Sequence, residues 1–145
     1  MTTIALTTAL TFAVMAVTLH AAHQVGDHII QTDDNAAGKV GPGRSGWQHV
    51  LMHVTTYHLT ASVMITITIL FLDLPVTGLG LATGLGFSFI THAVIDRRWL
   101  VRWLLDNTGS AAFADRQTPI CGMYLADQSL HYCCLWVASL LIACL

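Results

Sequence analysis

Residues 78–96, GLGLATGLGFSFITHAVID, hold His92 and Asp96 four positions apart in a segment that is otherwise apolar. Residues i and i+4 lie on one face of a helix, so the two side chains can be directed at one point. Ionisable groups are costly at membrane depth, where they face the interior of a bundle or mark a functional site. The segment therefore predicts a membrane-embedded helix with chemistry on its inner face.

The same spacing recurs three more times in the chain. The four pairs are His23 and Asp27 in HQVGD, His49 and His53 in QHVLMH, His92 and Asp96 in HAVID, and Asp127 and His131 in DQSLH. Imidazole and carboxylate groups favour zinc, and manganese or iron can use the same ligands. We interpret the set as a buried site for one or two divalent metal ions, with zinc preferred. The predicted ligands are His23, Asp27, His53, His92, Asp96, Asp127 and His131.

The composition indicates a single integral membrane domain, residues 1–145. Of the 145 residues 54% are hydrophobic and 10% are charged, with one Lys and no Glu. About 20 apolar residues make one membrane span, and stretches rich in turn formers divide the chain into four such segments. We therefore predict an all-α bundle of four transmembrane helices, covering about residues 3–30, 47–71, 78–105 and 119–145. A net charge of only −2 argues against a nucleic-acid partner.

Local signals set the expected helix boundaries. Ser45 and Gln48 have the spacing of a capping box at the start of the second helix. Thr118 followed by Pro119 indicates the start of the fourth helix, with proline at its first position. Four glycines are expected to form a close-packing face of the third helix. They are Gly78, Gly80, Gly84 and Gly86.

Basic residues predict the orientation in the membrane. Lys39 and Arg44 lie in the first connection, and the others, Arg97, Arg98, Arg102 and Arg116, lie at the end of the third helix or beyond it. The positive-inside rule then places the first and third connections in the cytoplasm and both termini outside, in the inner (cytoplasmic) membrane. With this topology every predicted ligand falls in one layer near the cytoplasmic leaflet.

The two halves of the chain have similar motifs. HQVGDHIIQ in the first helix parallels HAVIDRRWL in the third, and QHVLMHVTTY in the second parallels ADQSLHYCCL in the fourth. Two helical hairpins in the same orientation predict parallel pseudo-repeats about an axis along the membrane normal. Facing helices of such a bundle can supply ligands to one centre.

These motifs resemble a family of small four-helix bacterial and phage membrane proteins of unknown function. The family pattern is H-x-x-x-D-x-x-x-Q-[TS]-D, a Lys, an isolated His followed by Tyr, H-x-x-x-D, and D-Q-x-x-H. It falls here on His23, Asp27, Gln31, Asp33, Lys39, His53, Tyr57, His92, Asp96, Asp127, Gln128 and His131. His49 lies outside the pattern. The resemblance implies a four-helix membrane protein, and a looser likeness to membrane-bound metal-dependent hydrolases implies hydrolysis.

The alternative to metal binding is a polar core held only by interhelical hydrogen bonds. Each carboxylate at membrane depth costs about 2.5–3.5 kcal/mol, whereas an interhelical hydrogen bond contributes roughly 0.6 kcal/mol. Metal binding is therefore favoured. Four neighbours are expected to orient the ligands from outside the coordination sphere. They are Gln31, His49, Tyr57 and Gln128.

The favoured function is a metal-dependent hydrolase in the lipid bilayer. Its substrate would be a lipid or a small phosphate-bearing molecule, cleaved at an ester, amide or phosphoester near the cytoplasmic leaflet. Catalytic residues are not assigned. Lys39, Arg98 and Arg102 are the candidates to hold substrate charge, and the positive-inside rule alone is the favoured explanation of the two arginines. One alternative is a metal or proton carrier, which would need a homo-oligomer and is disfavoured by the apolar outer halves of the helices. The other is a non-enzymatic membrane adaptor stapled by its metal.

Overall fold

A computed structural model describes residues 2–145 of the chain. All regular secondary structure in this part of the chain is helical. The long helices are α1 (Thr3–Val25), α3 (Gly43–Leu72), α4 (Gly78–Asp96) and α7 (Gly122–Cys144). The short helices α2 (Asp33–Gly38), α5 (Trp99–Asn107) and α6 (Ala111–Asp115) lie in the connections. One π-helical turn, Gly26–Ile30, extends α1. All four long helices are long and apolar enough to cross a membrane, which confirms the predicted all-α class.

Each long helix packs against two others, in the ring order α1, α3, α4, α7. Neighbouring helices run antiparallel. On α1 and α3, Gly26 lies against Tyr57 while Thr18 lies against Thr68, so residue numbers rise on one helix as they fall on the other. This up-and-down arrangement brings the end of α1 and α4 to the same level as the start of α3 and α7.

Apolar and polar residues occupy opposite ends of the bundle interior. Away from the short helices, an apolar core fills the space between the four long helices. Its buried members are Met15, Leu19, Ala22, Tyr57, Ala61, Ile65, Leu135, Ala138 and Ile142. The outside of the bundle is also apolar, with Val17 71% and Phe71 86% exposed. A helix that is apolar on every side is expected where lipid is the solvent.

Two of the four glycines predicted to pack closely do so. Gly80 and Gly84 face α7, where a Cβ added at Gly84 would lie 2.5 Å from Ile142 Cγ1. Gly78 and Gly86 have no atom of the described chain within 4 Å of such a Cβ. A small residue on every fourth position therefore lets α4 approach α7, and the other two glycines do not contribute to this contact.

Replacing Gly84 by alanine should lower the free energy of unfolding by about 1–3 kcal/mol, because the new methyl group overlaps α7. Gly86→Ala is the matched control on the same helix. Its methyl group meets open space, so it should leave stability unchanged or raise it through better helix propensity. Reversible unfolding in mixed detergent micelles measures both variants. Equal losses for the two would contradict the close contact between α4 and α7.

The predicted third helix, residues 78–105, is interrupted. α4 ends at Asp96, and α5 begins at Trp99 after Arg98 adopts a left-handed conformation with φ of 59°. A right-handed helix cannot continue through that conformation, so the chain changes direction directly after the H-x-x-x-D motif. Nothing in the local sequence, which has neither glycine nor proline here, signals this break.

Two other boundaries also differ from those expected. The last helix starts at Gly122 and not at 119, because the Gly122 N–H donates to the Arg116 carbonyl and keeps Thr118 in a turn outside the helix. The helix that follows the first connection has already begun before Ser45. Ser45 and Gln48 therefore lie inside α3 and do not form the predicted capping box.

Candidate metal centre

The seven predicted ligands come together at one level of the bundle, at the end that carries α2 and α5. All four long helices supply them: His23 from α1 and Asp27 from its π turn, His53 from α3, His92 and Asp96 from α4, and Asp127 and His131 from α7. Six of the seven residues are at most 2% exposed, and the Asp27 side chain is 5% exposed. The helical spacing of the motifs therefore produces one buried cluster.

The π turn at the end of α1 positions Asp27. Gly26 opens this turn, and a Cβ at that position would lie 2.7 Å from Tyr57 Cδ2. The missing side chain lets α3 come close to α1, so that Asp27 Oδ1 lies 3.3 Å from His53 Nε2. Turns of this type often occur at functional sites. Asp27 also keeps its contact within α1, with Oδ2 3.4 Å from His23 Nε2.

Five distances among four ligand atoms are close to those of a tetrahedral site. His53 Nε2 and His92 Nε2 are 3.1 Å apart. Asp27 Oδ1 lies 3.3 Å and 3.7 Å from these two nitrogens, and Asp96 Oδ2 lies 3.5 Å from each. A zinc ion with ligands at about 2.0–2.1 Å would hold them about 3.3–3.4 Å apart. Each of the two carboxylate oxygens therefore lies at about the distance from both imidazoles that a shared ion would require.

A second group of ligands adjoins the first on α7. His131 Nδ1 donates to the Asp127 carbonyl at 2.9 Å, so Nε2 is the ring nitrogen that can serve as a ligand in the cluster. That nitrogen lies 3.9 Å from Asp96 Oδ1. Asp96, Asp127 and His131 form one set of possible ligands, and His23, His92 and His131 form another. Asp96 and His92 thus connect the two groups.

Several polar atoms of the cluster have no hydrogen-bond partner within residues 2–145. They are both ring nitrogens of His23, Nδ1 of His53 and of His92, Asp27 Oδ1, Asp96 Oδ2, Asp127 Oδ1 and His131 Nε2. Buried polar groups are almost always paired, so such a concentration calls for a ligand. With its three carboxylates ionised and its imidazoles neutral, the cluster together with the Lys39 ammonium group would carry a net charge of −2. One divalent cation would balance that charge.

Lys39 contacts the cluster directly. Its Nζ lies 2.7 Å from Asp96 Oδ1, and the residue is only 4% exposed. Arg97 supports this placement, since its Nη1 donates to the Lys39 carbonyl at 2.7 Å. The sequence predicted Lys39 as a holder of substrate charge, and the structure places it as the ion-pair partner of a candidate ligand.

His49 lies outside the cluster, contrary to its predicted role as an orienter of the ligands. Its Nδ1 lies 3.1 Å from Asn35 Oδ1 on α2, and a Cβ at Gly38 would overlap the His49 ring. His49 therefore attaches α2 to the start of α3. Lys39 follows α2 directly, so His49 contributes to the cluster only by fixing the segment that carries Lys39.

Tyr57 lies where it was predicted, against the ligands. Its ring centre is 4.5 Å from that of His92 and 5.7 Å from that of His23. Tyr57 is fully buried and also belongs to the apolar core. It therefore separates the cluster from the apolar half of the bundle and limits the movement of the two imidazoles.

A polar cavity of about 190 Å³ opens beside the cluster. Its walls are Asp27, His28, Gln31, Ala36, Lys39, Arg98, Tyr124, Asp127 and Gln128. Gln31 and Gln128 thus lie in the cavity wall next to the ligands, as their predicted role requires. Because Asp27 and Asp127 face both the cavity and the cluster, a molecule in the cavity can reach the candidate ligands.

The basic residues after α4 separate into two groups. Arg98 lines the cavity, whereas Arg102 points away from it and binds Asp106 and Asp115 on the bundle surface. These two carboxylates raise the pKa of Arg102. The prediction that Arg102 holds substrate charge is therefore not supported by its position, and the physical reason is the change of chain direction at Arg98.

His28 and Tyr124 belong to the cavity wall and were not predicted. Their side chains contact each other, with His28 Nε2 2.6 Å from the Tyr124 hydroxyl. Tyr124 precedes Asp127 by three positions and His131 by seven, so helical spacing alone could have placed it on that face. The position of His28 depends on the π turn, which the sequence does not signal.

Together, the fold and the cluster define a small helical protein with four potential membrane spans and a buried histidine–aspartate centre. Residues 14–145 match the family described as "Protein of unknown function (DUF3307)", so the chain belongs to that family. This confirms the resemblance to a family of unknown function. No curated protein and no solved structure matches the chain. The likeness to hydrolases and the phage source stay predictions.

Proposed function

We propose that this protein is a membrane-embedded metal-dependent hydrolase that binds a divalent cation, preferably zinc, in the His/Asp cluster. The observation that carries the proposal is that the buried cluster, with several ligand atoms that have no partner in the described chain, adjoins a cavity whose wall includes two of its carboxylates, Asp27 and Asp127. Asp127 Oδ1 and His131 Nε2 also support the proposal, because neither atom has a hydrogen-bond partner among the described residues. Asp127 lies in the cavity wall, where it can contact a bound molecule.

One ion per chain is the stoichiometry that the charges favour. A second divalent ion would make the cluster positive, and the Lys39 ammonium group already occupies Asp96 Oδ1, the oxygen that would bridge toward His131. Lys39 thus takes the electrostatic place of a second metal. Two ions remain the outcome to test against, because the ligands outnumber those that a single four-coordinate ion needs.

The chemistry proposed is the addition of water across an ester, amide or phosphoester bond. A divalent ion supplies Lewis-acid activation of water and of the bond to be cleaved. The water oxygen bonds to the carbonyl carbon or phosphorus, the bond to the leaving group breaks, and the leaving group receives a proton. Asp127 is placed to accept the proton of the water, since it lies at both the cluster and the cavity wall.

We further propose that this reaction takes place near the cytoplasmic leaflet of the inner membrane, on a lipid or on a small molecule that enters from that side. The positive-inside rule supports this side, because Lys39 and Arg98 lie at the same end of the bundle as the cavity. Homo-oligomers are compatible with the many exposed apolar side chains on the outer faces of the helices.

A parallel internal repeat is part of the proposal. The equal depth of His23 with Asp27 and of His92 with Asp96 at the ends of α1 and α4 supports it. The hairpins would then be α1 with α3 and α4 with α7, each supplying part of one shared centre.

A structural metal site is the second candidate function. Four ligand atoms at tetrahedral spacing would saturate one zinc ion, which is typical of sites that hold helices together. A metal or proton carrier has weaker support, because the apolar core around Met15, Ala61 and Ile142 fills the bundle beyond the cluster. A conducting path would have to pass through this core.

Elemental mass spectrometry of the detergent-purified protein tests the proposal. We expect about one zinc per chain in the wild type, and its loss in Asp27→Asn and His92→Ala, because each substitution removes one of four ligands. His49→Ala is the matched control, since His49 lies outside the cluster and should leave the metal content unchanged. A wild-type protein without metal, purified without chelator, would overturn the proposal.

Hydrolysis of phosphate, carboxylate-ester and amide model substrates by the metal-loaded protein separates the two candidates. Activity that disappears in Asp127→Asn while the metal remains bound supports the hydrolase. Stoichiometric metal without turnover of any substrate class supports the structural site. Activity that Asp127→Asn leaves unchanged would contradict the role proposed for Asp127.

A further inference from the structure

The cavity beside the metal centre carries an inference about the substrate class, which rests on the proposed function. We infer that the cavity binds the phosphate group of a substrate and that Arg98 is the residue that recognises it. The cavity, which has a volume of about 190 Å³ and is partly open to the outside, has room for a phosphate group. Arginine presents a planar fork of donors that matches the oxygens of phosphate.

The backbone directs Arg98 to this position. Its φ of 59° lies in the left-handed region, which residues other than glycine, asparagine and aspartate rarely adopt. Such conformations cluster at ligand sites, where the surrounding structure holds them. This conformation occurs two residues after Asp96, the last residue of α4, so that Arg98 lines the cavity instead of continuing along the outer surface of a longer helix.

Neighbouring cations are engaged elsewhere, while Arg98 is not. Lys39 binds Asp96, Arg97 donates to the Lys39 carbonyl, and Arg102 binds two surface carboxylates. Arg98 Nε is buried and has no hydrogen-bond partner anywhere in the described chain. Arg98 is therefore the cation of this group that is available to an anion in the cavity.

A second donor faces the same space. Gln31 lines the cavity, and its Nε2 is buried without a hydrogen-bond partner among the described residues. Gln31 and Arg98 reach the cavity from different elements, the end of the π turn and the start of α5. An oxyanion in the cavity would offer acceptor oxygens to both donors and a charge opposite to that of Arg98, whereas a cation without acceptors would leave them unpaired.

Two carboxylates in the cavity wall make this binding depend on the metal. Asp27 and Asp127 repel an anion as long as their charge is uncompensated, and a divalent ion in the cluster removes that repulsion. Metal and phosphate should then bind with positive coupling, which acts equally in both directions. Adventitious attraction of phosphate to a surface arginine would not have this dependence.

The test is calorimetric titration of inorganic phosphate into protein in phosphatidylcholine nanodiscs, after unbound metal has been removed by desalting. We expect saturable binding of one phosphate to the metal-loaded wild type and at least tenfold weaker binding to Arg98→Gln, which loses a charge-assisted contact. Arg102→Gln is the matched control and should bind as the wild type does. The chelated wild type should also bind at least tenfold more weakly.

Metal content measured on the same samples keeps the two proposals apart. Metal present with no phosphate binding, or with equal binding by Arg98→Gln and the wild type, overturns this inference and leaves the proposed metal centre intact. No metal in any sample overturns the proposed function. Unchanged metal content in Arg98→Gln shows that the variant folds.

A second titration distinguishes the origin of the phosphate group. Nanodiscs that contain phosphatidic acid present a phosphate monoester at the bilayer surface. If this lipid weakens the binding of inorganic phosphate, and does so in the wild type and not in Arg98→Gln, the source is a lipid headgroup. If it has no effect, the cavity takes a soluble phosphate compound. Both results support the phosphate site, which only the failure of the first titration overturns.

Discussion

Removal of the metal is expected to lower the free energy of unfolding of this protein by about 4 kcal/mol when the metal-loaded reference contains zinc at roughly a thousand times its dissociation constant. The reason is electrostatic. Asp27, Asp96 and Asp127 are buried together with one ammonium group, and the remaining charge of −2 is uncompensated without the ion. Uncompensated buried charge strongly disfavours the folded state.

Reversible unfolding in mixed detergent micelles, with buffered zinc or with chelator, measures this difference. The loss should grow with the zinc concentration of the reference, by about 1.4 kcal/mol for each tenfold increase above the dissociation constant. His92→Ala should respond much less to zinc, because it lacks a ligand of the tetrahedral set. A stability that is independent of zinc in the wild type would contradict a metal bound by the folded cluster.

Replacement of Lys39 by methionine is expected to lower the free energy of unfolding of the metal-free protein by about 3–5 kcal/mol, the range for breaking a buried ion pair. The substitution removes the ammonium group from Asp96 and leaves that carboxylate buried without its partner. Asp96→Asn should lower stability less, since it separates Lys39 from its nearest partner but also removes one of three clustered carboxylates. The measurement is made in chelator so that metal binding does not contribute.

The double variant Lys39→Met/Asp96→Asn provides the test of coupling. It removes both charges at once, so its loss should be clearly smaller than the sum of the two single losses. Strict additivity would contradict the ion pair. Arg102→Gln with Asp106→Asn is the control pair, because this exposed contact between successive turns should show little coupling.

Much of the fold could be predicted from the sequence because its signals are local. Apolar length predicts the four spans, and the spacing of His23 with Asp27 or of His92 with Asp96 predicts which faces turn inward. The distance of each motif from the end of its helix, together with the predicted topology, predicts that the ligands lie in one layer of the membrane. Helix ends that depend on one backbone conformation, such as the left-handed Arg98, have no comparable signal.

The candidate site was predictable as a set of residues and not as a set of contacts. All seven proposed ligands lie in one cluster, yet the sequence did not indicate that Lys39 would pair with Asp96 across 57 positions of the chain. It also assigned Arg102 to the site and His49 to the ligands' surroundings. Both errors concern residues in or beside connections, whose course depends on packing between segments.

By itself, the sequence determined that four apolar helices bring imidazoles and carboxylates to one level, since the spacing along a helix is set by its own backbone. Only the tertiary structure decided which atoms meet. The distances among Asp27, His53, His92 and Asp96 arise from four helices packed in a ring, with Gly26 and Gly84 setting the closeness of approach. The break between α4 and α5 places Arg98 in the cavity wall. The sequence could not predict this, because the direction of a chain after such a break depends on what it packs against.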